Sequence, residues 1–339
     1  MSDSRPRVVI AGASGFVGTA LARAFAAEGY RITRIGRSAD VVWGDRAGIE
    51  AVVDGAELIV NLAGKSVNCR YDDRNRHEIL RSRVDTTREL ADAVAHASRP
   101  PSLWLNASTA TIYRHATDRP NTEAAGELGS GFSVDVARAW EEAFFAERLP
   151  ETRRVALRMA IVIGDGPAIR MLLNVARAGL GGPQHDGPIP RHRRYRGIGP
   201  HPTADRPLWH RTRGRQRFSW VHIDDVVGAI RFIRDHDEID GVVNVASPEP
   251  SDNRSLMRAL RRIVRMPVGI PSWRWMLEPA MWLLRTEPEL VLKSRWVLPE
   301  RLVAGGYVFS HTDLDDALRA AASEVLRRRR ARPRRSGRS

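Results

Sequence analysis

The sequence predicts an α/β protein of the doubly wound type, a parallel sheet with helices on both faces, followed by a small, mostly helical C-terminal subdomain. Three observations carry this. Short β-branched runs alternate with stretches of helical spacing from Arg7 to Val162, and that alternation builds a parallel sheet whose crossovers cover both faces. A glycine-rich turn, Gly12 to Gly18, separates the first such run from the first helix. The stretch Ser255 to Leu318 is mostly helical in pattern and rich in Trp.

Arg7 to Ala11 (RVVIA) reads as a strand that ends in small residues, and Ala20, Leu21, Ala24 and Phe25 then recur at helical spacing until Gly29 closes the helix. Tyr30 to Ile35 is a second strand and, after a connection, Leu58 to Leu62 a third. A helix over Val84 to Ala97, a strand over Leu103 to Ala107, a helix over Val134 to Phe145 and a strand over Val155 to Val162 continue the alternation. From Gly181 the composition turns to Pro, Gly, His and Arg without a period until Phe218, which reads as a long surface loop. Phe218 to Ile223 and Val242 to Ala246 return to strand, with a helix between them that starts at Asp224 and Asp225, acids suited to a helix N-terminus. Right-handed crossovers put the carboxyl ends of the strands, and any ligand crevice, on one edge. The division expected is 5–248 for the sheet domain with a basic insertion at 183–217, 249–323 for a substrate-side subdomain, and 324–339 for a disordered Arg-rich tail. Trp273, Trp275, Trp282 and Trp296 read as a small hydrophobic core, with a membrane or partner surface as the other reading.

At 339 residues, 42% of them hydrophobic, the chain can bury a large core, which excludes disorder for its bulk. The single Cys69 permits no internal disulfide and no cysteine-based zinc site, and fits a reducing cytoplasm. MSDSRPR leads directly into a strand without an apolar leader, and no apolar run reaches the length of a membrane span, so a cytoplasmic protein without a membrane partner is expected. The net charge of +14 is concentrated. Pro183 to Arg217 holds nine Arg against two Asp, and Arg327 to the end holds eight Arg and no acid, which leaves the remainder close to neutral. That distribution argues against a specific nucleic-acid role, because an Arg-rich end binds any polyanion through counterion release.

Gly12, Gly15 and Gly18, in GASGFVG, follow a strand and open a helix. In that setting the first glycine permits the tight turn, the second lets a pyrophosphate approach the backbone, and the third lets helix and strand pack closely. This is the dinucleotide-binding turn of a Rossmann fold, with free N–H groups at the helix start for the phosphates. An NAD site carries an acid about twenty residues further on, to hold the ribose hydroxyls. Here the place reads Ile35, Gly36, Arg37, Ser38. Arg37, with Arg34 nearby and Ser14 in the turn, suits a 2′-phosphate, so NADP(H) is expected over NAD(H).

GASGFVG, NLAG (Asn61 to Gly64), NASTATIY and FSWVHIDD together resemble the extended short-chain dehydrogenase/reductases. SRVDTTREL, RAWEEAF, LRMAIVIG, GLGGP, WVHIDDVVGAI and ELVLKSRWVLPERLVAGGY are similar to an atypical branch, the NAD-dependent epimerase/dehydratase family proteins with a C-terminal domain of unknown function. The resemblance runs from about Arg7 to Ala320. It implies an NADP(H)-binding fold with Gly12, Gly15, Phe16, Val17 and Gly18 at the pyrophosphate and Leu62, Ala63 and Gly64 on the ribose side. It further implies that Asp45 either bonds adenine or is a loop acid in water, and that Ser82 and Arg83 face the cofactor cleft.

Ordinary members use a Tyr made labile by a Lys four residues later, and a Ser or Thr that polarises the substrate oxygen. Ser108 and Thr109 keep the hydroxyl part, although a hydroxyl capping a strand end is equally ordinary. The Tyr and Lys are missing: their places fall on Ser133 and Ala137, or on Phe132 and Val136. Tyr113, His222 and Arg158 remain as groups that could move a proton or touch an anion, with His222 more readily read as structural. Ten histidines show no acid spacing that resembles a metal site, so no metal is expected. The inserted RHRRYRGIGPHP is either a positive lid over an anionic small-molecule substrate or a solvated insertion. The expected function is an NADP(H)-binding oxidoreductase or epimerase-like protein, with Ser108, Thr109 and Tyr113 as candidate catalytic residues. The alternative is a non-catalytic NADP(H)-binding regulatory protein. A homodimer is compatible with the fold.

Overall fold

The computed structural model describes residues 5–188, 198, 209–283 and 287–331. The chain runs through β1 (Arg7–Ala11), α1 (Phe16–Ala27), β2 (Arg31–Gly36), β3 (Val41–Val42), α2 (Arg46–Val53), β4 (Leu58–Asn61), α3 (Asp73–His96), β5 (Leu103–Thr109), a 3-10 turn at Ala110–Ile112, α4 (Phe132–Phe145) and β6 (Arg153–Met159). Then come β7 (Ile161–Ile163), α5 (Pro167–Arg177), β8 (Gln184–His185), β9 (Arg217–Phe218), β10 (Trp220–His222), α6 (Ile223–Asp235) and β11 (Gly241–Val245). A seven-stranded sheet has the order β11-β6-β5-β4-β1-β2-β3, and every pair in it is parallel. The winding reverses between β1 and β4, which opens a crevice at their carboxyl ends.

The period of two along the strands divides the core. Val8 and Ile10 of β1, Leu58 and Val60 of β4, and Leu103 and Leu105 of β5 pack on the side that holds Leu21 and Phe25 of α1 and Ile230 of α6. Val9, Ile59 and Trp104 pack on the other, with Ile49 of α2, Leu90 and Val94 of α3, and Phe144 of α4. Both faces are covered, which is why the strands read as continuous apolar runs.

Several boundaries differ from the sequence expectation, each for a local reason. α2 occupies the expected connection because the Asp45 carboxylate accepts from Gly48 N at 3.0 Å and caps its start. α3 starts at Asp73 rather than near Val84, since Asp72 caps a first turn too polar to show an apolar period. The strand expected over Val155 to Val162 breaks at Ala160, and β7 leaves the sheet to pair with β10.

The C-terminal region holds β12 (Ser251–Asp252), α7 (Asn253–Val264), β13 (Ser272–Trp273), α8 (Arg274–Leu283), α9 (Glu289–Leu292), α10 (Glu300–Ala304) and α11 (Leu314–Ala331). α5, α7 and α11 share a core of Ile163, Leu172, Leu173, Trp220, Leu256, Leu260 and Leu318. α11 continues to Ala331, past the start of the expected disordered tail, because Leu314, Leu318, Ala321 and Val325 form a buried stripe. Trp273 and Trp275 are exposed, at 45% and 72%, and do not form the expected core; Leu277, Met281 and Leu292 do. Trp296 is half-buried under the Arg217 guanidinium, and the Trp282 side chain lies outside the described ones. Among the described residues no helix is long and apolar enough to cross a membrane. The lid expected of RHRRYRGIGPHP lies, Ile198 apart, outside the described residues, as do the last eight residues.

Candidate functional site

The turn between β1 and α1 places Gly12 at φ +78°, its N–H donating to Ile35 O at 3.1 Å. A Cβ on Gly12 would lie 2.7 Å from the Leu62 carbonyl oxygen, and one on Gly18 would lie 2.4 Å from Gly12 O. Neither position admits a side chain. Gly15 caps α1 without a side-chain bond, and the first turn contains no acid. The first amides of α1 therefore have no intrahelical partner, and the positive helix end meets the crevice. Ser14 and Gly15 are exposed there. The Phe16 ring lies against Gly164 and Gly166, where a Cβ would come within 2.6 and 3.1 Å of it, and Val17 turns into the core beneath α1. Arg37 is exposed just past the end of β2, two residues from the Ile35 carbonyl that holds Gly12.

Beside this turn, β4 ends in Asn61, Leu62, Ala63 and Gly64. Asn61 Oδ1 accepts from Ala63 N at 3.0 Å, while its Nδ2 donates to Asn106 Oδ1 at 2.7 Å and to Thr87 Oγ1 at 3.1 Å, a buried ladder that sets the strand end. A Cβ on Gly64 would lie 3.1 Å from the Arg83 guanidinium carbon. Arg83 donates to Ile79 O at 2.9 Å and lies over the Trp140 ring, with no carboxylate paired to it among the described residues. Burial lowers its pKa to about 10, so it stays charged at neutral pH. Arg83 thus stands at the crevice, whereas the Ser82 hydroxyl is occupied by Lys65 N at 2.8 Å. Asp45 caps α2 through a bond from Gly48 N.

At the end of β5 the expected catalytic hydroxyls separate. Ser108 is buried and donates to Glu141 Oε1 at 2.5 Å; Glu141 in turn receives Arg158 Nε at 2.8 Å and Nη2 at 2.7 Å. Arg158 Nη1 donates to the Tyr113 hydroxyl at 2.9 Å, and Tyr113 donates to Asn244 Oδ1 at 2.9 Å. Burial alone would lower the Arg158 pKa, but the Glu141 hydrogen bonds and charge outweigh it and push it up. Burial likewise raises that of Tyr113. Tyr113 is 1% exposed inside an apolar cluster with Ile112, Val134 and Val297, so its hydroxyl sits within this network. Ser108 and Arg158 are likewise engaged within the network. Thr109 differs: it is partly exposed, and its Oγ1 accepts from Thr111 N at 3.1 Å, which leaves its own proton to donate.

Around Thr109 the structure assembles residues that the sequence did not single out. Lys293, just after α9, donates from Nζ to Thr111 O at 2.7 Å, and Arg295 Nε donates to Thr111 Oγ1 at 3.2 Å. Ser133, in the first turn of α4, donates to Glu289 Oε2 at 3.3 Å, and Tyr71 stacks edge-on against Phe132 with its backbone N–H on Glu287 Oε1 at 3.1 Å. Burial and Glu289 push the Tyr71 phenol well above its usual range, while burial lowers Lys293 to about 8, with Glu289 opposing and Arg295 assisting. The signal in the sequence was present in ELVLKSRWVLPE, but the contact joins positions 111 and 293, which no local pattern links.

His222 caps α6, its Nδ1 accepting from Asp224 N at 3.3 Å, and burial followed by His311 lowers its pKa. That is the structural reading. With Asp224 and His311 it forms a group whose ligand atoms lie within 4.8 Å of one another, the two rings tilted by 42° with centroids 3.8 Å apart. A cavity of about 740 Å³ opens at the amino ends of β6 and β11, lined among others by Ser102, Arg153 and Gly241. It lies on the edge opposite the glycine turn and contains none of these groups.

The pattern of the NAD dependent epimerase/dehydratase family matches residues 8–246, and that of a domain of unknown function, DUF1731, matches residues 274–321. Epimerase family protein SDR39U1 of Bos taurus is 29% identical over 323 residues, covering 92% of this chain and 98% of its own. The crystal structure of human epimerase family protein SDR39U1 (isoform 2) with NADPH superposes with a TM-score of 0.77 at 26% identity, covering 94% of this chain and 99% of that one. MoeE5 in complex with UDP-glucose and NAD shares the fold, with a TM-score of 0.69 at 17% identity over 96% of this chain and 100% of that one.

Proposed function

This chain belongs to the NAD dependent epimerase/dehydratase family, and from that premise we propose that it is an NADP(H)-dependent oxidoreductase or epimerase-like enzyme acting on a small anionic substrate. The observation that carries the cofactor half is the uncapped start of α1, where Gly12 and Gly18 admit no Cβ and no acid occupies the first turn. Ser14, Gly15, Phe16 and Val17 complete the pyrophosphate cradle, Leu62, Ala63 and Gly64 line the ribose side, and Arg37 receives the 2′-phosphate. The human relative of known structure binds NADPH, which supports the phosphorylated form. Bound there, the dinucleotide supplies a hydride donor or acceptor. The chain's own part is to hold a substrate oxygen at the Thr109 hydroxyl and to meet negative charge with Arg83.

A second reading, a cofactor-binding regulator without turnover, is favoured by the way Ser108 and Tyr113 are committed to a closed network. Titration of the protein with NADPH and NADH, followed by fluorescence, tests the shared premise. Arg37→Ala should weaken NADPH about tenfold while leaving NADH unchanged, and Gly15→Asp, which sets a carboxylate against the phosphates, should abolish both. Equal affinity for the two nucleotides before and after Arg37→Ala would remove the NADP(H) assignment.

A further inference from the structure

We propose that Lys293 is the proton-carrying catalytic residue of this cleft, brought by the C-terminal region to the place where α4 offers neither tyrosine nor lysine. The inference rests on the reading above and deepens it. Lys293 Nζ donates to Thr111 O, two residues past Thr109. It makes no other hydrogen bond and has no carboxylate at ion-pair distance among the described side chains, so two of the three ammonium donors are unspent. The first turn of α4 closes the opposite side, with Ser133 held on Glu289 at one of the positions where the missing tyrosine would fall.

Composition supports the same residue independently. Of 54 lysines and arginines, two are lysine: Lys65 and Lys293. Lys65 is held by Asn75 and Glu78. A chain that meets nearly every need for a cation with arginine keeps an amine at 293, and an amine can release its proton near neutral pH where a guanidinium cannot.

Three ionisable groups act on it or feel it: Glu289 and Arg295 on its own segment, and His115 beyond the 3-10 turn; Tyr71, after β4, shares Glu289 with it. Burial and Glu289 hold the Tyr71 phenol protonated, and burial with neighbouring cations, Lys293 among them, presses His115 down to about 3. Lys293, at about 8, has both forms accessible at physiological pH. In the step assigned to it, the ammonium N–H breaks as the O–H bond forms on a substrate oxygen gaining negative charge. The nitrogen keeps the electron pair, and the amine takes a proton back from solvent.

The test is competitive acetylation of the full chain with acetic anhydride between pH 6 and 10. Peptide mass spectrometry reads Lys293 against free Nα-acetyl-lysine, without nucleotide, with NADPH and with NADP⁺. The expected result is a midpoint about two pH units below the standard, lower with NADP⁺ than with NADPH because the cationic nicotinamide opposes the ammonium. By linkage, NADP⁺ affinity should fall about threefold from pH 9 to pH 7, and Lys293→Arg should abolish that dependence. An ordinary midpoint, or one that does not distinguish the two nucleotides although both bind, overturns the proposal and leaves the cofactor assignment standing. Failure of both nucleotides to bind overturns that assignment first, and this inference with it. The wild-type labelling decides the matter even if the variant does not fold.

Discussion

Two polar clusters meet at the carboxyl end of β5, and consecutive residues of one strand divide them, since neighbouring side chains leave a strand on opposite faces. Ser108 enters a closed network through Glu141, Arg158, Tyr113 and Asn244, in which each charged group has a partner. Thr109 faces an open one, where Lys293 spends a single donor on a backbone carbonyl and a hydroxyl keeps its proton. The difference teaches that residue type is a poor guide to role near a crevice. The serine and tyrosine have their hydrogen bonds satisfied within the fold, whereas the open cluster keeps hydrogen-bonding capacity after the fold has been served.

Substitutions that separate stability from binding would break or sharpen this contrast. The largest effect is expected from Glu141→Gln, which leaves Arg158 buried without a carboxylate and should cost about 3 kcal/mol in urea unfolding, with NADPH affinity unchanged. A loss below about 1 kcal/mol would mean that the closed network is not structural. Tyr113→Phe removes a partner from both Arg158 and Asn244, and should cost about 1.5 kcal/mol while cofactor binding stays within about twofold; a selective loss of binding would return Tyr113 to the cleft.

His115 tests the electrostatics of the open cluster. Its folded pKa, about 3, lies below the unfolded value, so the unfolded chain takes up a proton that the folded one refuses, and stability falls as pH drops from about 6.5 toward 3. Solvent reaches part of the ring, so the term should be about 1 kcal/mol, read as the difference in pH-dependent urea midpoints between wild type and His115→Gln. Identical pH profiles would show that neither burial nor the cations near Thr111 hold its pKa down. Thr109→Val should change stability least, by about 0.5 kcal/mol or less, because its hydroxyl supports a single bond in one short turn. A larger loss would place Thr109 in the closed network with its neighbour.

Much of the fold was legible because strand and helix periods are local and the glycine turn is contiguous in sequence. The places where reading failed have physical causes. α2 is too short to show a period and is set by one capping bond from Asp45. The tryptophans near 273 and 275 are apolar in type but exposed in fact, since Leu277, Met281 and Leu292 fill the space beneath them. The Arg-rich end continues as helix as far as Ala331 because a stripe on its other face is buried against α5 and α7.

By itself the sequence determined the sheet, its winding, the crevice edge and the glycine turn, because each depends on residues close together in the chain and on the handedness of the crossovers. Only the tertiary structure decided which polar groups at that edge are spent and which are free. Arg158 and Glu141 lie seventeen positions apart and Thr111 and Lys293 lie 182 apart, and hydrogen-bond satisfaction belongs to the folded neighbourhood, which no stretch of sequence contains.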